Sequence, residues 1–117
     1  MKENIILNKT YTFAVRIVRL HSHLCETKKQ FEIAKQLLRS GTSIGANTEE
    51  AIGAESKKDF IHKFSIAYKE ARETKYWLRL LRDSDIIDNK LALSLIDDCE
   101  QILAIIGKIK ITSRKHS

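Results

Sequence analysis

Between Phe60 and Leu81 the residues Phe60, Phe64, Ala67, Ala71, Thr74, Leu78 and Leu81 follow one another at steps of four and three without a miss. That alternation is the seam of a helix packed lengthwise against other helices, and a strand, whose side chains repeat every two residues, cannot satisfy it. The 117-residue chain contains no Pro and only four Gly, so little in it breaks a long helix. A chain of this length buries about two-thirds of its unfolded surface in a single core. One domain over residues 1–117 is therefore expected.

Three further segments carry the same period. The first expected helix follows Asn8 or Thr10 as N-cap, with Phe13, Ile17, Leu20 and Leu24 on one stripe and Tyr11, Val15 and Val18 widening it. The second ends at Gly53, read as a left-handed C-terminal cap. Ser56 then caps the seam helix, with Asp59 three residues on as a variant of the capping box. Asp88 can cap a fourth helix, with Leu91, Leu95, Ile102, Ile105 and Ile109 on one seam and Ala92, Ile96, Cys99, Leu103 and Ile106 on a second. The tail ITSRKHS is expected to fray. Helices at about 9–25, 30–52, 57–82 and 89–110, joined by short turns, predict an all-α, antiparallel up-down-up-down four-helix bundle.

One stretch resists this reading. RSGTSIGANTEEA, Arg39 to Ala51, places Ser40 and Asn47 on the inner seam of the second helix and adds two Gly, each costing roughly 1 kcal/mol against Ala in a helix interior. Folding the third helix back sets Arg39 at the height of Glu70, and Asn47 at that of His62. The expectation is a polar network of Arg39, Ser43, Asn47, Glu50, Glu70 and Glu73, because an unpaired carboxylate there is costly. Gly41 and Gly45, one turn apart, admit a closely packed neighbour.

The same region carries a family likeness. Leu37 to Ile87 contains the SIGAN-x-EEA core, the Asp59-Phe60 pair that opens the third helix and the run KEARET-x-YWLRLL, all together. In these motifs the chain resembles the bacterial 23S rRNA intervening-sequence proteins, while its first and fourth helices match in pattern only. Many members carry a Pro-containing turn before the second helix, where this chain has Glu26, Thr27, Lys28 and Lys29. The resemblance implies a bundle protomer assembled into a ring-like homopentamer and a gene often found inside rRNA insertions. It also implies a relative that assists a retroelement reverse transcriptase by binding nucleic acid, which adds a protein partner to the candidates.

Charge is unevenly spread: residues 84–106 hold one basic and five acidic side chains, residues 107–117 four basic and no acidic ones, within a net charge of +6. On the third helix Tyr68, Arg72, Lys75, Arg79 and Arg82 recur at helical spacing beside Tyr76. Such a stripe can hold a phosphate backbone of RNA or DNA, with the Tyr rings stacking on unpaired bases. It can equally be a solvated face or the ion-pair partner of Asp97, Asp98 and Glu100, and composition does not decide. Lys57, Lys58, Lys63 and the tail's Lys108, Lys110, Arg114 and Lys115 are candidates to extend it.

Other chemistries find weaker footing. Arg16 and His21 have the Arg-x4-His spacing of HEPN-like ribonucleases, a pattern that arises readily by chance in a chain with seven Arg and four His. No Glu-x-x-His pair, zinc-spaced cluster or phosphate loop occurs, so no catalytic residue, cofactor or metal is expected. Cys25 and Cys99 fall ~15 Å apart along an antiparallel bundle, which predicts two separate thiols. No apolar run reaches membrane-spanning length and no signal segment is apparent, so the expected location is the cytoplasm. Trp77 reads as a core or subunit-interface anchor. The expectation is a non-enzymatic homo-oligomer, of pentameric form by resemblance, that offers basic surface to RNA or DNA; the alternative is a structural or protein-binding oligomer without nucleic acid.

Overall fold

The computed structural model describes residues 2–115, with the side chains of residues 2–4 left aside. They form α1 (Lys2–Glu26), α2 (Phe31–Ile52), α3 (Lys57–Asp83) and α4 (Asn89–Lys115), with no strand among them. Each helix packs on its chain neighbours and α4 closes on α1, giving an antiparallel bundle 47 Å long and about 20 Å across, 21 × 19 Å.

The seam of α3 buries as its spacing predicts. Phe64, Ala67, Ala71, Thr74, Leu78 and Leu81 are inaccessible to solvent, and Phe60 lies edge-on to Phe64 at 4.9 Å. Ser56 accepts the Asp59 amide at 3.0 Å and Asp88 accepts that of Leu91 at 2.8 Å, so both expected caps are present. In α4 the core stripe is Ala92, Leu95, Cys99, Ile102, Ile106 and Ile109, drawn from both expected seams.

Several boundaries differ from expectation, each for a visible reason. α1 begins at Lys2, not near residue 9: Ile6 is fully buried, and Thr10 is an interior residue that donates its hydroxyl to the Ile6 carbonyl at 2.8 Å instead of capping. The wide buried face is narrower too, since Tyr11 is 68% and Val18 47% exposed. α4 runs on to Lys115 beyond the expected end near 110, helped by Lys110, whose amine sits 5.0 Å from the centre of the Tyr68 ring; His116 and Ser117 lie outside the described residues. Gly53 has φ −87° and is not left-handed; its amide reaches Glu49 at 3.2 Å and closes the turn without a positive φ. Lys29 and Asp85 are the residues that take positive φ, at 56° and 60°. Lys29 thereby reverses the chain without a Pro, and the Gln30 amide then bonds the Leu24 carbonyl at 2.9 Å.

Gly41 is required by proximity. A Cβ there would lie 2.8 Å from Cγ2 and 2.9 Å from Cγ1 of Ile17, which is itself fully buried on α1. Cys25 and Cys99 are free thiols, and burial, with Asp98 and Glu100 nearby, pushes the Cys99 thiol up to about 12. No described helix is long and apolar enough to cross a membrane.

These two glycines give opposite predictions. Gly41→Ala, despite its better helix propensity, should lower stability by about 1–3 kcal/mol because the added methyl also meets Ile17 Cβ at 3.2 Å, which no rotamer change can move. Gly53→Ala, at negative φ with its nearest neighbour 3.7 Å away, should be neutral or stabilising. Thermal unfolding of both variants checks the contrast, and equal losses would refute it.

Candidate nucleic-acid interface

The side of α3 that faces α4 carries the basic residues. Seven-residue spacing puts Tyr68, Lys75 and Arg82, and likewise Arg72 and Arg79, on neighbouring rows beside the core row of Ala71 and Leu78. With Glu100, Leu103 and Ala104 of α4, the residues Tyr68, Arg72, Lys75, Tyr76 and Arg79 line one solvent-open groove of about 550 Å³. Five of the six stripe residues thus share a site.

The sixth does not. Arg82 pairs with its neighbour Asp83, Nε to Oδ1 at 2.8 Å, and lines a separate recess with Lys28 and Asp85 at the α3–α4 turn. The hydrogen bond from Arg82 holds the Asp83 carboxyl below its ordinary value, while Asp83 raises Arg82. Within the groove Lys75 is ion-paired with Glu100. Arg72 and Arg79 are exposed, and no described carboxylate lies within ion-pair distance of either. Tyr68 is half-buried beneath Lys110, and Gly107 leaves room beside its ring. Burial, with Arg114 adding repulsion, lowers Lys110.

Leu103, Ala104 and Gly107 were not part of the expected site, whereas Lys110, a candidate to extend the stripe, does reach it through Tyr68. A signal was present: Leu103 and Lys110 are seven apart, on one row of a helix already expected to reach residue 110. Of the other basic candidates, Lys63 pairs with Glu50 at 2.8 Å, which raises it, and Lys57, Lys58 and Lys108 lie exposed outside the groove.

The opposite flank of α3, against α2, holds acids. Arg39 reaches Glu70 at 3.0 Å and also pairs with Glu73, and both carboxylates raise it, Glu73 first. Trp77 donates its indole N–H to the same Glu73 oxygen at 3.1 Å. Beneath this cluster the hydroxyls of Ser40 and Thr74 meet at 2.8 Å, fully buried, and Thr74 also reaches the Glu70 carbonyl at 2.7 Å. The other three expected network members go elsewhere. Ser43 donates to the Arg39 carbonyl at 2.5 Å, Asn47 to the Ser43 carbonyl at 2.8 Å and away from exposed His62, and Glu50 is taken by Lys63. Within one turn each, the i−4 carbonyl is a nearer acceptor than anything on α3.

Arg16 and His21 do not converge on one site. Arg16 crosses to α4, bonding Asp98 at 2.6 Å and Ser94 at 3.0 Å, whereas His21 lies 3.6 Å from the Cys25 sulfur on its own helix. Arg16 is thereby tied into a structural bridge, away from any proton His21 could move.

The family model for the 23S rRNA-intervening sequence protein matches residues 2–108. The chain belongs to that family. A crystal structure of a protein of unknown function, from the S23 ribosomal protein family of Bacteroides thetaiotaomicron VPI-5482, is similar to it. The two are 46% identical over 94% of this chain and 98% of that one, with a TM-score of 0.92. Among curated proteins none matches. The family match spans all four helices, so α1 and α4 share in it along with the motif-bearing centre.

The buried hydroxyl pair sets a prediction. Thr74→Val leaves the Ser40 hydroxyl with only the Leu37 carbonyl at 3.4 Å and should cost about 1–3 kcal/mol. Ser40→Ala added to it should restore part of that loss, since both partners are then apolar. A double-mutant cycle in urea that proves additive would rule out the coupling.

Proposed function

We propose that the protein is a non-enzymatic, self-associating helical bundle of the cytoplasm that holds the sugar-phosphate backbone of RNA or DNA in the α3–α4 groove. The observation that carries this is the pair Arg72 and Arg79, exposed on one groove wall with no described carboxylate within ion-pair distance, Asp83 acting on Arg79 only from farther off, beside Tyr68 and Tyr76. A guanidinium not neutralised within its own protein is free to replace the counterions of a phosphate. The resemblance to a family with a nucleic-acid-binding relative adds support.

Self-association is supported by a second row on α1. Leu7, Tyr11, Ala14, Val18, His21 and Cys25 repeat at steps of four and three outside the core row, and Tyr11 and Val18 are largely exposed. That is the spacing of a helix with a partner still to meet, here a second copy and, by family resemblance, one of five. The Lys75–Glu100 pair favours a second reading, a structural oligomer whose basic charge is balanced internally and which binds no nucleic acid.

Two measurements separate these readings. In fluorescence anisotropy, Arg72→Glu with Arg79→Glu should weaken binding to labelled RNA at least tenfold and flatten the log–log salt slope by roughly 1 per guanidinium removed, leaving the oligomer intact. Glu100→Gln, which releases Lys75, should tighten it. A wild-type protein without measurable binding at low salt supports the structural reading instead. Separately, Val18→Glu should reduce the mass seen by light scattering to that of a smaller species, and an unchanged mass moves the interface off α1.

A further inference from the structure

We infer that the α3–α4 groove selects single-stranded over double-stranded nucleic acid, with Tyr76 as the platform for an unpaired base; this rests on the nucleic-acid reading above. Tyr76 lies between Arg72 and Arg79 in the chain, and the backbones of those two residues are two helical turns, ~10 Å, apart along the axis. Tyr76 is 51% exposed, and its ring packs edge-on against Trp77, centroids 5.3 Å apart at 66°. Trp77 in turn is fixed through Glu73 to Arg39 of α2. An aromatic ring that is exposed yet braced on Trp77, between two arginines that have no described ion-pair partner, suits a strand whose phosphates meet the arginines while a base meets the ring.

A duplex cannot use this arrangement. Its base faces are covered by their own stack, so Tyr76 gains no partner without unstacking, which costs a few kcal/mol per step. The groove floor also argues against a continuous phosphate row, because Leu103 and Ala104 are apolar and Glu100 places a carboxylate among them. A base can lie over that apolar floor, whereas a phosphate pressed there meets Glu100. Charge alone attracts both forms, and stacking distinguishes them.

The test compares a labelled oligouridine, which stays unpaired, with a blunt RNA duplex of matched length, by anisotropy at one salt concentration. The wild-type protein should bind the oligouridine more tightly. Tyr76→Ala should weaken that binding roughly tenfold or more while leaving the duplex affinity unchanged, and Tyr76→Phe, which keeps the π face, should retain it. Quenching of Trp77, the one tryptophan of the chain, should accompany oligouridine binding and not duplex binding. Equal or tighter binding of the duplex, or indifference to Tyr76→Ala, overturns this inference and leaves the backbone-binding reading standing. Absence of binding to both probes overturns that reading, and this one with it. Tyr76 is a surface residue, so circular dichroism should show Tyr76→Ala folded as wild type.

Discussion

The close approach of α2 to its neighbours is the constraint from which the rest of the molecule follows. α2 presents Ser40, Gly41, Gly45 and Thr48 as buried residues, small side chains or none where a bundle helix ordinarily carries Leu or Ile. Toward α1 there is no room for even a methyl group at Gly41, so Ile17 packs on bare backbone. Toward α3 the gap is filled by Ser40 and Thr74, whose hydroxyls satisfy each other and the Glu70 carbonyl. No buried side-chain nitrogen or oxygen among the described residues is left without a partner. The low helix propensity of this stretch is offset by interfaces that larger residues would prop apart.

With α3 held this way, its circumference divides into three strips of different chemistry. One strip is the apolar seam. A second, toward α2, gathers Glu70, Glu73 and the Trp77 indole onto Arg39. The third, toward α4, carries Arg72, Lys75 and Arg79. Such segregation follows from helical geometry acting on a mixed sequence: in the run KEARETKYWLRLL, acids three apart fall on one flank and basic residues seven apart on another. A linear reading of net charge averages these strips away. The fold separates them, and the acids are used for packing while two arginines stay available.

The sequence made the four helices, their order and their core rows legible because hydrophobic period and capping chemistry are local signals. Phe64 to Leu81, Ser56 and Asp88 are of this kind. What the sequence concealed depended on contacts between distant residues. Nothing near Thr10 reveals that its hydroxyl turns back to Ile6 inside a longer helix, because Thr serves caps and interiors alike. Gly53 carries the composition of a left-handed cap, but whether the chain must reverse there depends on the next helix, and the tight turns fell to Lys29 and Asp85 instead. In the polar cluster, height along the bundle correctly paired Arg39 with Glu70, while rotation about the axis decided that Ser43 and Asn47 would close on their own helix. Height follows from turn length alone; rotation follows from side-chain packing, which a linear pattern only partly encodes.

Rotation also decides the question that charge left open between α3 and α4. On paper the acidic stretch of α4 could neutralise the basic stripe entirely. Asp97, Asp98 and Glu100, however, are one, two and three residues apart, and at about 100° per residue they point to different neighbours. Asp98 turns to α1 and binds Arg16, Asp97 accepts from Gln101 at 2.8 Å, and Glu100 alone faces α3, where it takes Lys75. Asp88, the first acid of that stretch to meet α4, caps it. Asp88, Asp97, Asp98 and Glu100 are each engaged elsewhere, and none of them pairs with Arg72 or Arg79. The carboxylates that balance this bundle on average are thus dispersed around α4, and the residual positive charge gathers where two exposed arginines and Tyr76 share one groove wall.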